Sequence, residues 1–83
     1  MPAFNYTIRD EVGLHARPAG QLVNKVKSLG CKVTLKCGDR SADASRLFSV
    51  MALGIKCGDT VTVLVDGDEA AAAELEAFFE SSL

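Results

Sequence analysis

The chain has a single histidine, no lysine- or arginine-rich block and no long hydrophobic run. Its 9 basic and 11 acidic residues give a net charge of −2, which argues against nucleic acid as a partner. The apolar stretches fall short of the roughly 18 residues that a membrane span needs, so insertion into a bilayer is not expected. The first residues lack the basic and apolar regions of a secretion signal, and we therefore expect a cytoplasmic protein.

The three cysteines offer no evident metal or disulfide chemistry. No C-x-x-C pair and no cysteine–histidine cluster with zinc spacing occurs, so the sequence predicts no metal site. If Cys31 and Cys37 share one strand, they lie roughly 20 Å apart, too far for a mutual disulfide. We expect all three thiols, including that of Cys57, to be reduced and partly buried.

Alternating and helical hydrophobic patterns follow one another along the chain, and we expect one domain over residues 1–83. Alternation predicts strands near residues 4–8, 31–37, 40–43 and 60–65. Helical spacing predicts helices over 16–29, 46–53 and 69–82, the second of them capped by Ser45. The order β-α-β-β-α-β-α, with one apolar face on each strand, indicates an α+β fold. In this fold, helices cover one side of an antiparallel sheet.

The single histidine lies where the first helix is predicted to begin, in the segment Gly13-Leu14-His15-Ala16-Arg17-Pro18-Ala19. Imidazole can act as a nucleophile or proton carrier near neutral pH. The guanidinium of Arg17 and the amides of Ala16 and Arg17 can hold an anion, because a helix start carries unpaired N–H groups and positive potential. Transient phosphorylation of His15 fits this arrangement best. A surface or capping histidine is the alternative.

The chain lacks the parts of a self-sufficient catalyst. No Gly-rich loop with a lysine precedes a helix, and no paired acidic residues near the histidine could hold magnesium. No serine or cysteine is visibly matched to His15 for hydrolytic catalysis. We therefore expect a carrier that other proteins phosphorylate, without a cofactor, rather than an enzyme.

Two segments resemble HPr, the histidine-containing phosphocarrier of the bacterial sugar phosphotransferase system. They are residues 13–19 and the run Leu47-Phe48-Ser49-Val50-Met51-Ala52-Leu53-Gly54-Ile55, and the likeness extends over essentially the whole chain. The resemblance implies an open-faced β-sandwich, with four antiparallel strands under three helices. It also implies that His15 accepts a phosphoryl group through Nδ1 from enzyme I, itself charged by phosphoenolpyruvate. His15 then gives the group to enzyme IIA domains, while Arg17 balances its charge.

The predicted second helix has more apolar residues than so short a helix can bury. At 100° per residue, Val50 and Leu53 can share an inward face, while Leu47 and Met51 point elsewhere and Phe48 lies to one side. Exposed apolar patches mark contact surfaces. A fully buried helix is the alternative. The resemblance implies that Leu47, Phe48 and Met51 contact enzyme I and the enzyme IIA domains.

The chain departs from part of the HPr family at the start of this helix. Many HPr proteins of the Gram-positive type carry there a serine that a dedicated kinase phosphorylates, whereas this chain has Arg46. We expect no switch at position 46 and at most a weak one at Ser45, with HPr kinase or transcriptional regulators as minor partners. A regulatory HPr-like interaction module and an unrelated α+β ligand-binding domain with a passive His15 stay open as alternatives. A monomer is expected.

Overall fold

The computed structural model describes residues 2–14 and 16–83, which form four strands and three helices. The strands are β1 (Ala3–Thr7), β2 (Lys32–Cys37), β3 (Arg40–Asp43) and β4 (Thr60–Asp66). The helices are α1 (Ala16–Leu29), α2 (Leu47–Ala52) and α3 (Glu69–Ser82). The predicted order is confirmed, and the strands make one antiparallel sheet in the order β1-β4-β2-β3. None of the described helices is long and apolar enough to cross a bilayer.

One face of the sheet is apolar and lies under the helices. Val61, Val63 and Val65 of β4 are fully buried. The register pairs Val63 with Leu35 and Val65 with Val33, and these two β2 residues are fully buried as well. Successive side chains of a strand point to opposite faces, so this alternation buries one side of each central strand. The predicted sheet with one covered face is confirmed.

Phe79 of α3 packs this helix against β1. Its side chain is fully buried, and its ring meets those of Phe4 and Tyr6 edge to face, with centroids 5.7 and 5.4 Å away. The ring of Phe78 meets it at 6.2 Å. Pairs of this geometry add about 0.5–1.5 kcal/mol each beyond the burial of their area. The aromatic cluster therefore fixes α3 over the edge strand.

Helix α1 buries the apolar stripe that the sequence predicts. The buried residues recur at helical spacing and are Pro18, Ala19, Leu22, Val23 and Val26. Gly30 follows the helix with φ +70°, the left-handed conformation that commonly ends a helix and that glycine adopts without a Cβ clash. The helix is thus anchored along its length, and its first turn is presented at a fixed place on the domain.

The start of α2 differs from the prediction. Ser45 is not the N-cap, because Arg46 occupies that position and makes no side-chain cap hydrogen bond. Ser45 instead donates from its N–H (2.9 Å) and from its hydroxyl (2.7 Å) to Oδ1 of Asp43. A carboxylate is a stronger acceptor than a neutral oxygen, so the local turn uses the side chain that we expected at the cap. The helix then runs from Leu47 to Ala52.

The cysteines are free thiols in different environments. Cys31 and Cys37 are half-buried, as predicted, and Cys31 lies just before β2 rather than within it. Cys57 is exposed, so the prediction of a partly buried thiol is wrong there. The reason is its place in the stretch 56–58 of the connection between α2 and β4, which is exposed.

Candidate functional site

The first turn of α1 presents Ala16 and Arg17 to solvent. Both residues are exposed, whereas Pro18 and Ala19 after them are buried. The N–H groups of a first helical turn have no partner within the helix and carry positive potential. This turn therefore suits an anion held beside position 15. His15 itself lies outside the described residues, so its role as phosphoryl acceptor stays a prediction.

Residues 9–14, which we call the site loop, lead into that turn. The N–H of Gly13 donates to the carbonyl oxygen of Asp10 at 3.0 Å, which closes a tight turn. Oδ1 of Asp10 accepts a second hydrogen bond, from the N–H of Val12, at 2.9 Å. The side chain of Leu14 is buried. The chain thus reaches position 15 from a loop whose course is fixed by its own hydrogen bonds.

Gly13 lets the site loop lie directly on the connection between α2 and β4. Its φ is +82°, and a Cβ there would stand 2.6 Å from the carbonyl oxygen of Ile55 and 2.7 Å from Cα of Lys56. A residue with a side chain does not fit so close to another backbone. Next to it, the N–H of Leu14 donates to the same carbonyl of Ile55 at 3.0 Å. The two segments are therefore locked together.

An open cleft of about 310 Å³ lies beside the first turn of α1. Its lining residues come from the site loop, α1 and the end of α3, and are Asp10, Arg17, Pro18, Gln21 and Ser82. The guanidinium of Arg17 can give directed hydrogen bonds to a phosphoryl oxygen. The structure thus brings the predicted Arg17 to an accessible, largely polar surface. The amides of Ala16 and Arg17 belong to the same turn.

The apolar residues of α2 and its C-cap divide as predicted, except that Leu47 packs against the core. Val50 and Leu53 are buried, whereas Phe48 is 84% exposed and Met51 is 38% exposed. Leu47 is half-buried. We call Leu47, Phe48 and Met51 the docking patch. A fully buried helix is excluded, and exposed apolar side chains of this size are typical of a contact surface.

Ser45 and Arg46 directly precede the docking patch in the chain, and Ser45 is the candidate for regulatory phosphorylation. Hydrogen bonds from the hydroxyl and then the N–H of Ser45 lower the pKa of Asp43 below its ordinary value of 3.8. Burial acts in the opposite direction and is outweighed. The Ser45 hydroxyl is therefore engaged by a carboxylate, which would repel an incoming phosphoryl group. Arg46 is exposed beside it.

Sequence reasoning missed three residues of the site loop. Val12 is 67% exposed, an apolar side chain on the surface of the loop. Asp10 could have been found, because an Asp in a loop favours an Asx turn, in which its side chain accepts a hydrogen bond from the N–H two residues later. Arg9 could not. Its guanidinium donates to the carbonyl of Glu80 at 2.8 Å and to the hydroxyl of Tyr6 at 3.0 Å, and no local pattern signals a contact between residues 9 and 80.

The fold and the exposed first turn of α1 define a class, an open-faced α+β sandwich with a helix start suited to anions. The protein-family model described as "PTS HPr component phosphorylation site" matches residues 3–81. The chain belongs to this HPr family of phosphocarrier proteins. The match supports a phosphotransfer function in the phosphotransferase system.

Individual relatives agree with the family match. The phosphocarrier protein HPr of Mycoplasma capricolum is 34% identical over 70 residues, which are 84% of this chain and 79% of that protein. The multiphosphoryl transfer protein of Xanthomonas campestris is 36% identical over 69 residues, which are 83% of this chain but only 8% of that protein. The crystal structure of HPr-C-His from Thermoanaerobacter tengcongensis superimposes with a TM-score of 0.91 at 27% identity, covering 99% of this chain and 94% of that chain. An unrelated ligand-binding domain is thereby excluded.

Proposed function

We propose that the chain carries a phosphoryl group on His15, taking it from phosphorylated enzyme I and giving it to enzyme IIA domains for sugar uptake. The match of residues 3–81 to the phosphorylation-site family carries this proposal. Residues 13–19 lie within the matched range and hold the single histidine of the chain. Membership of the family supports enzyme I and the enzyme IIA domains as the proposed partners.

The proposed transfer needs no cofactor and no change of oxidation state. The lone pair on Nδ1 of His15 forms a bond to phosphorus while the bond between phosphorus and enzyme I breaks, and the electrons of that bond stay with enzyme I. The onward step repeats this exchange with a nucleophile of the enzyme IIA domain. A P–N bond is labile, which suits a group that is passed on. The chain acts as a carrier rather than as a catalyst.

Arg17 and the amides of the first turn of α1 are proposed to balance the charge of the group in transit. A cation at a helix start is disfavoured by about 0.3–1 kcal/mol. The exposed guanidinium of Arg17 nevertheless lies there and lines the open cleft. A phosphoryl anion on His15, two residues earlier, offsets the repulsion between Arg17 and the positive helix start. It accepts hydrogen bonds from the guanidinium and from the amides of Ala16 and Arg17.

Incubation with phosphoenolpyruvate and enzyme I tests the proposal. The wild-type chain should gain one acid-labile phosphate, and the His15→Ala variant should gain none. Nuclear magnetic resonance of the phosphorylated chain should place the group on Nδ1 of the imidazole ring. Phosphate on another side chain, or no phosphate on the wild type, would refute the proposed function.

The docking patch is proposed to contact both enzyme I and the enzyme IIA domains. Methionine adapts to several partners because its side chain is flexible and polarisable, and Met51 lies beside the highly exposed Phe48. Met51→Glu should raise the KM for the carrier in transfer from enzyme I while leaving the fold intact. Ala73→Glu is the matched control, because it adds the same charge at an exposed position on α3. Equal KM values for the two variants would contradict this role.

A regulatory HPr-like interaction module is the second candidate function. Arg46 favours it, because the exposed guanidinium at the start of α2 is suited to acidic partners. Under this alternative, the docking patch binds regulators and the chain carries no phosphate in sugar uptake. Phosphorylation by enzyme I separates the two functions. Under the phosphocarrier function, HPr kinase and transcriptional regulators are proposed only as minor partners.

We propose that residues 1–83 work as a single HPr-like domain, as a monomer and in the cytoplasm, without binding nucleic acid or entering a membrane. A monomer leaves the docking patch free for successive partners. An HPr from Thermoanaerobacter tengcongensis has been solved as a dimer, so light scattering of this chain is the direct measurement of its state. A stable dimer that covers Phe48 would contradict the proposal.

A further inference from the structure

The start of the site loop is bound to the end of α3. The N–H groups of Arg9 and Asp10 both donate to a main-chain oxygen of Leu83, at 2.8 and 2.9 Å, and the side chain of Leu83 is buried. The guanidinium of Arg9 donates to the carbonyl of Glu80 at 2.8 Å. The last carbonyls of a helix lack partners within it. These contacts supply partners and, in return, anchor the loop.

Asp10 stands where the anchored segment turns toward position 15. Its N–H is bound to Leu83, and its carbonyl oxygen accepts from the N–H of Gly13 at 3.0 Å. Its carboxylate accepts from the N–H of Val12 at 2.9 Å. The first two hydrogen bonds use main-chain atoms of residue 10, so any residue other than proline at this position could make both. Only the bond to Val12 depends on the side chain.

The negative charge of Asp10 does not explain why an acidic residue occurs at position 10. The residue lines the same open cleft as Arg17, and a carboxylate there repels an arriving phosphoryl group. A cleft selected for electrostatic attraction alone would carry a neutral or basic side chain at this position. The hydrogen bond to Val12 is therefore the feature that accounts for an acceptor side chain at position 10.

We propose that Asp10 is a positioning residue for phosphoryl transfer, and that its carboxylate holds the turn that directs the chain into position 15. The inference rests on the proposed function, because it concerns the loop that leads into His15. Group transfer requires the reacting atoms to be held in line, and a displacement of about 1 Å can lower a rate about 100-fold. A closed turn fixes the direction in which the chain leaves Gly13 and Leu14.

Two substitutions separate the hydrogen bond from the charge. Asp10→Asn keeps an acceptor oxygen and suits the same turn, whereas Asp10→Ala removes the acceptor. In transfer from phosphorylated enzyme I, D10A should lower the limiting rate about fivefold, the effect of one lost hydrogen bond. Its KM should not change, since the docking patch is untouched. D10N should match or exceed the wild-type rate. Amide hydrogen exchange at Val12 should accelerate in D10A alone.

Asp68→Ala is the matched control. Asp68 accepts from the N–H of Ala71 at 2.9 Å at the start of α3, roughly 20 Å from Leu83 at the other end of the helix. This variant loses a bond of the same kind and should transfer at the wild-type rate. A wild-type rate for D10A, equally slow rates for D10A and D10N, or a slow D68A would each overturn the proposal. Absence of phosphate on the wild type would instead refute the proposed function, and the positioning role with it.

Discussion

Replacing Gly13 with alanine tests the contact that fixes the site loop against the connection between α2 and β4. The new Cβ would stand 2.6 Å from the carbonyl oxygen of Ile55 and 2.7 Å from Cα of Lys56. Both are backbone atoms, so neither can rotate away as a flexible side chain would. One of the two segments must therefore move, and the hydrogen bond from Leu14 to Ile55 weakens with it.

Gly30→Ala separates this clash from the cost of the backbone conformation. Gly30 also has a positive φ, +70°, but no described atom beyond Gly30 and its two chain neighbours lies within 4 Å of the place its Cβ would take. Alanine at a left-handed position costs about 1 kcal/mol, and that should be the whole effect of G30A. G13A should cost about 2 kcal/mol more, from the displaced segments and the weakened hydrogen bond.

Thermal unfolding measures the difference. In a domain of this size, 1 kcal/mol shifts Tm by about 4–8 °C, so G13A should melt about 8–16 °C below G30A. At a temperature where both variants are folded, phosphorylation by enzyme I should be slower for G13A alone. Equal Tm values would mean that the site loop does not lie so close to Ile55, and the account of its fixed course would be refuted.

Three further predictions concern the core and the start of α2. Phe79→Ala should lower the free energy of unfolding by about 3–5 kcal/mol, because it empties a fully buried ring site. Phe78→Ala should cost less, and urea titration compares the two. Ser45→Ala should raise the pKa of Asp43 toward 3.8, which a carboxyl titration followed by nuclear magnetic resonance would show. Since the folded pKa of Asp43 is lowered, its stabilising effect is present above 3.8 and is lost as the pH falls through the lower folded value. S45A should therefore lose less stability on acidification than the wild type. Incubation with ATP and an HPr kinase should modify Ser45 at most weakly, and stoichiometric phosphate in the mass spectrum would contradict this.

The sheet and the long helices could be predicted because their burial follows a local period. Alternation of two along β4 placed its valines on one face, and helical spacing gave α3 its observed range, Glu69–Ser82. The same argument correctly separated Val50 and Leu53 from the exposed Phe48 on α2. In each case the burial of the side chains follows the same period as the hydrophobic residues in the sequence.

The features that were predicted wrongly or not at all depend on contacts that do not recur at a regular spacing along the chain. Ser45 is a good cap by residue type, yet the carboxylate of Asp43, two residues earlier, takes its hydroxyl. The bond from Leu14 to Ile55 joins positions about 40 residues apart, and the bond from Arg9 to Leu83 spans more than 70. Residue type gives each of these groups a preference, but only the folded chain decides which partner is within reach.

The position of α2 connects the proposed docking patch to the site loop that leads into the proposed phosphorylation site. The helix ends at Ala52, and Ile55 follows three residues later. Ile55 is buried and accepts the hydrogen bond from Leu14 in the site loop. On the proposed function, a partner that docks on Phe48 and Met51 contacts the helix that runs into the connection bound to the site loop, by a backbone hydrogen bond and by the close contact at Gly13. The partner then meets a site loop that is already in place. A phosphoryl group can be passed by rigid docking, because the loop does not have to be rebuilt.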